Sequence, residues 1–155
     1  MKNALQVIGA TDIVDLPELG WYNVPVRIDS GATSSAIHCA KVKLVKDGEQ
    51  TSLHFFLDTK KGAPQQSYIV TDFKETVVRN SSGKEEKRYV IKTRITLFGK
   101  KIMTEFSLAN RRKMQYPILL GRKLLKNRFL VDVSQKNLSS ARRHTTLVRS
   151  KNSHA

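Results

Sequence analysis

The residues best suited to chemistry are Asp29, Ser30 and Gly31, which close the alternating apolar run 24–28. A carboxylate held at a strand end can take or give a proton in a cleft. Gly31 lets the backbone turn and approach closely, and Ser30 can stiffen the turn through side-chain to backbone bonds. On its own the tripeptide is also ordinary turn chemistry. A second segment, 116–125, sets the apolar run Ile118-Leu119-Leu120 directly before Gly121-Arg122 and a short helical stretch. Other candidates are poorer. His38 and Cys39 are neighbours, and neighbours on a strand point to opposite faces. The histidines at 38, 54, 144 and 154 form no His-Glu-x-x-His pair, and no Gly-x-x-x-x-Gly-Lys-Ser/Thr loop is present. Hydrolytic zinc takes three protein ligands around an open position. We therefore expect no metal site and no cofactor, and activity indifferent to chelators and ATP.

The elements that must position these residues are short strands separated by turn signals, the pattern of an all-β domain. The run 36–45 closes at Asp47-Gly48, a hairpin signal, and 53–57 returns from it. A polar loop covers 59–66. The runs 68–78 and 89–97 flank Asn80-Ser81-Ser82-Gly83-Lys84, which reads as a hairpin tip. Phe98-Gly99-Lys100 turns the chain again into 102–108. Only 121–126 reads as helix, and 129–133 as the closing strand. From Ser134 onward Ser, Asn, Lys and Arg dominate with little to bury, so 134–155 is expected to be a basic, disordered tail.

Among 155 residues, 28 Lys and Arg face 13 Asp and Glu, for a net charge of +15. That size suits one compact domain. The tail holds five of the basic residues and no acid, leaving +10 on residues 1–133. The excess is therefore spread through the domain, and it favours an anionic partner without choosing among nucleic acid, an acidic polypeptide and a membrane surface. Scarce aromatics, at 7%, weaken the nucleic-acid option, because single-strand binding stacks bases on rings. One cysteine excludes an internal disulfide. No apolar run reaches the roughly 20 residues of a membrane span, and no secretory leader is seen at the start. The expected location is cytoplasmic, with no membrane partner.

The two segments, in this order and about 90 residues apart, resemble the retropepsin-like aspartic proteases. Members carry Asp-Thr/Ser-Gly-Ala, matched by Asp29, Ser30, Gly31 and Ala32, and later an apolar strand running into Gly-Arg, matched by Gly121 and Arg122. The similarity runs from Val7 to Val133, and 16–20 with 29–32 is closest to a bacterial branch often labelled "ATP-dependent zinc protease". The resemblance implies a small closed β-barrel with one short C-terminal helix over 1–133. It makes Asp29 the catalytic acid, Ser30, Gly31 and Ala32 its loop, Gly121 and Arg122 structural support, and the hairpin Asn80, Ser81, Ser82, Gly83 and Lys84 the flap. Retroviral members also place an acid after Asp-Thr-Gly-Ala to pair with the arginine. Here that position is Thr33, so Arg122 needs a different partner.

Peptide hydrolysis of this kind uses two carboxylates sharing one proton, and the chain supplies one such motif. The expected function is thus an aspartic endopeptidase with a dyad formed across a homodimer. Its substrate is a peptide or protein, acidic if the family's association with a ribosomal-protein glutamate ligase extends here. The alternative is a non-catalytic basic module that binds acidic peptide, RNA or a ribosomal surface.

Overall fold

The computed structural model describes residues 4–58, 64–79, 82–110 and 115–142. Its strands are β1 (Gln6–Ile8), β2 (Thr11–Leu16), β3 (Trp21–Ile28), β4 (Ser35–His38), β5 (Lys41–Asp47), β6 (Gln50–Leu57), β7 (Gln66–Val70), β8 (Phe73–Arg79), β9 (Glu85–Leu97), β10 (Lys100–Ala109), β11 (Ile118–Leu120) and β12 (Phe129–Val131). Among the described residues helical structure is limited to a 3-10 turn at Pro17–Leu19, the single turn α1 (Arg122–Leu125), and a helical turn at 138–142.

Six strands close on themselves in the order β10, β4, β11, β3, β2, β9, with β9 returning to β10. Alternation explains why they close: in β3, Val24, Val26 and Ile28 are buried while Pro25 and Arg27 face out. Ile37, Ile95, Leu97, Phe106, Ile118 and Leu120 complete the same interior. Fully burying each such side chain contributes roughly 1.5–3 kcal/mol. The all-β barrel expected from the sequence is the fold observed.

The long strand β9 outruns the barrel. Residues 90–97 pair with β10, and residues 85–91 pair with β8, which has no other partner strand among the described residues. A second sheet, β5-β6-β7, packs on the barrel through buried Leu53, Phe55 and Leu57. Phe55 stacks on Tyr68, whose hydroxyl donates to the Leu19 carbonyl.

Three expectations need correction. The run 36–45 is two strands in two sheets, because the chain changes partners at one step: the Cys39 amide donates to Ala109 at the end of the β4 ladder, and the Ala40 amide to Phe56 at the start of the β5 ladder. The run 68–78 likewise breaks at Thr71-Asp72 into β7 and β8. Nor does the chain leave the domain at Ser134. The Ala10 amide donates to Gln135, the Asn137 amide to Thr11, and the Ser139 and Ser140 amides to the Asp12 carboxylate at 3.0 and 3.1 Å. Asp12 is 1% exposed and also accepts from the Ile13 amide at 2.8 Å. Three charge-assisted bonds of this kind stabilise a buried carboxylate that would otherwise be costly. They bind 134–142 as a strap across β2. The remainder of the expected tail, 143–155, lies outside the described residues.

Candidate active site

β3 and β4 are consecutive in the chain, yet β11 lies between them, parallel to β3 and antiparallel to β4. The connection 29–34 must therefore pass over the end of β11, and Asp29 emerges there. Its amide donates to the Leu120 carbonyl at 2.9 Å, extending the β3–β11 ladder by one residue. The Asp29 side chain is half-buried, and its Oδ1 accepts from the Gly31 amide at 3.0 Å.

The chain leaving β11 fastens the loop from below. A helix start has backbone N–H groups with no partner of their own. Here the Arg122 amide donates to the Ala32 carbonyl at 2.8 Å and the Lys123 amide to the Thr33 carbonyl at 3.0 Å. The Gly121 amide donates to Ser35 Oγ at 3.1 Å, inside the protein. Gly121 is required by proximity: a Cβ would lie 2.6 Å from the Ser34 carbonyl oxygen and 2.9 Å from that of Ala32. Arg122 then reaches over the loop, donating through one terminal nitrogen to the Ser30 carbonyl at 3.0 Å and through the other to Thr33 Oγ1 at 2.9 Å. The missing acid at position 33 is thus replaced by a hydroxyl and a carbonyl.

Asp29, Ser30, Gly31, Ala32, Gly121 and Arg122 form one bonded unit, though two of them act differently from expectation. Ser30 takes part through its carbonyl; among the described residues its hydroxyl makes no hydrogen bond. Gly31 does not use a left-handed backbone, and its contribution is the close approach of its amide to the Asp29 carboxylate. Sequence reasoning missed Ser35 and gave Thr33 no role. Ser35 is 2% exposed at the start of a buried strand, where a hydroxyl needs a partner. The flap candidate is the β8–β9 hairpin. Asn80 and Ser81 of its tip lie outside the described residues, while Ser82, Gly83 and Lys84 are exposed.

Elsewhere, His38 is buried with Nε2 3.2 Å from Asp58 Oδ2. The Cys39 thiol donates to the Lys41 carbonyl, and burial pushes its pKa up, which disfavours a nucleophilic thiolate. Among the described residues no three His, Cys, Asp or Glu side chains are grouped to hold a metal. No helix there is long and apolar enough to cross a membrane.

Charge is unevenly arranged. On and around the β8–β9 hairpin, cations meet acids: Lys74 with Glu105, Arg79 with Glu85, Lys87 with Glu75, Arg88 with Glu86, and Arg94 with Glu18. Lys74 holds Glu105 below the usual carboxylate range. Around α1, Lys123, Lys126 and Arg128 make no ion pair among the described residues, and with Asn127 they line a concavity of about 420 Å³.

Known proteins resemble this chain. Residues 7–142 fit the family model described as RimB-like, the retropepsin-like aspartic endopeptidase RimB. A probable alpha-L-glutamate ligase of Shewanella pealeana is 35% identical over 133 residues, covering 83% of this chain and 29% of that protein. Another, from Parasynechococcus marenigrum, is 31% identical over 130 residues, covering 81% of this chain and 28% of its own length. The chain thus spans under a third of the length of these curated relatives. A Legionella pneumophila protein of unknown function has a similar fold, with a TM-score of 0.71 at 22% identity over 88% of this chain and 99% of the other. With the Asp-Ser-Gly-Ala loop, the Gly-Arg segment beneath it and the match over 7–142, the chain belongs to the RimB-like family of retropepsin-like aspartic endopeptidases.

Proposed function

We propose that the protein is an aspartic endopeptidase that hydrolyses peptide bonds as a homodimer, each protomer contributing Asp29. The observation that carries this reading is the pinning of the Asp29 loop. Backbone bonds from Asp29, Arg122 and Lys123, and the Arg122 guanidinium, fix the loop around a carboxylate that solvent still reaches. Preorganisation of this kind suits a group that must meet water and a carbonyl in one geometry. In the dyad, the ionised Asp29 takes a proton from water as the water attacks the scissile carbonyl, and the protonated Asp29 donates to the carbonyl oxygen. This division of labour needs the two carboxyls to share one proton.

The β8–β9 hairpin acts as the flap. It covers bound peptide, excludes water and offers the free edge of β8 to an extended chain. An acidic substrate fits the net charge of +15. The relatives named glutamate ligases support a link to such an enzyme: a domain like this one sharing a chain with a ligase is expected to act on related material.

Substitution tests the reading. Asp29→Asn removes the shared proton with little change in size, and turnover is expected to fall by at least about a thousandfold with circular dichroism unchanged. A basic binding module would tolerate the same change. Specific activity should also fall on dilution, and mixed dimers with Asp29→Asn should be inactive. Full activity in a monomer would overturn the dimer and with it the dyad.

A further inference from the structure

The concavity beside α1 is made by a local fold-back. Asn127 takes a left-handed conformation, with φ of 64°, and turns the chain so that the Arg128 amide donates to the Leu125 carbonyl. The Arg128 guanidinium then donates to the Leu124 carbonyl at 3.1 Å. That bond uses one of five guanidinium N–H donors. Lys123, Lys126 and Arg128 line the hollow together and the segment 121–131 contains no acid; Glu105, whose charge Lys123 feels from outside the hollow, is paired directly with Lys74. Like charges brought together in a concave surface raise the local potential and favour a ligand of opposite sign.

We infer that this hollow is a docking site for the side-chain carboxylates of an acidic polypeptide, distinct from the Asp29 loop, which α1 touches through Arg122. Carboxylates match the arginine fork, whose N–H groups can donate to two oxygens side by side. Single-stranded nucleic acid fits less well, because among the described residues no aromatic ring lines the hollow to stack a base. The consequence for cleavage, holding a substrate's acidic segment so that a neighbouring bond enters the cleft more often, rests on the peptidase reading. The docking itself does not.

Binding is measured on the full chain carrying Asp29→Asn, so that cleavage does not interfere. The probe is a fluorescent glutamate homopeptide, with an oligouridylate of equal length in parallel. Lys123→Gln with Lys126→Gln is expected to weaken peptide binding by about tenfold, and Lys126→Gln alone by about threefold, in line with a few exposed charge contacts. Lys43→Gln with Lys46→Gln removes the same charge from exposed positions on the edge strand β5, and is expected to change binding by less than about twofold. Equal weakening by the two double variants would reduce the effect to net charge and overturn the site. So would oligouridylate binding more tightly than the peptide and being lost in the α1 variant. If the glutamate peptide fails to bind the Asp29→Asn chain while the parent chain, with Asp29 intact, still cleaves peptide, the hollow is refuted and the peptidase reading stands; cleavage by the Asp29→Asn chain would instead refute the peptidase reading.

Discussion

The Asp29 loop and the β8–β9 hairpin are both turns between strands, yet they are held by opposite means. The loop is bonded to a segment about 90 residues away, through backbone groups of Leu120, Arg122 and Lys123 and the Arg122 side chain. The hairpin is held by its own ladder and by ion pairs at its surface. Exposed ion pairs contribute little each, about 0.2–1 kcal/mol. The comparison separates a loop tied to distant parts of the chain from a hairpin tied mainly to itself; under the proposed function the first seats the reacting group and the second is the arm that opens, since openings are drawn from weakly held regions.

The largest expected difference sets Gly121→Ala against Gly83→Ala. At Gly121 the new Cβ meets backbone, which cannot swing aside, so the loop or β11 must shift. A loss of about 1–3 kcal/mol follows, with turnover reduced on the order of a hundredfold if the carboxylate moves by an ångström. At Gly83 the Cβ meets open space, and only its φ of 86° opposes it. Roughly 1 kcal/mol is expected there. Denaturant midpoints and kcat for the two variants check the contrast; equal effects on both would break it.

Next in size is the pair Arg122→Met and Arg79→Gln. Arg122→Met removes two bonds to the loop and should lower kcat about tenfold while KM changes little. Arg122→Lys should not restore it, because an ammonium cannot span the Ser30 carbonyl and Thr33 as a planar fork does. Arg79→Gln breaks an exposed pair with Glu85 and should cost under about 0.5 kcal/mol with kcat unchanged. A large kcat effect from Arg79 would mean that hairpin charge, and not only its mobility, matters to turnover.

The smallest effect is in pH. The Glu105 carboxyl lies below its ordinary range because Lys74 on β8 hydrogen-bonds it. A lowered native pKa stabilises the fold above the unfolded value and loses that contribution as pH falls through the native one. Acid should therefore loosen the root of the hairpin slightly, by less than about 1 kcal/mol since both groups are partly exposed. Comparing acid melts of the parent and Lys74→Met checks this: the parent should lose its advantage at low pH.

What the sequence alone determined was local. The alternation of 24–28 specified a strand with one buried face, Gly48, Gly83 and Gly99 marked turns whose left-handed φ the fold uses, and Asp29-Ser30-Gly31-Ala32 with Gly121-Arg122 offered the residues of the candidate site. Pattern at period two reports burial of a face, however, and carries no information about which strand lies alongside. Only the tertiary structure decided that 36–45 and 68–78 each divide between two sheets, that Asp12 receives the amides of Ser139 and Ser140 from 127 and 128 residues away, and that Thr33 and the Ser30 carbonyl take the place of an acid for Arg122. The reason is the same in each case. Hydrogen-bond partners far apart in the chain are chosen by how the closed barrel brings backbone groups together, and a polar residue at position 12, 33 or 35 acquires its role only when a donor or acceptor arrives beside it.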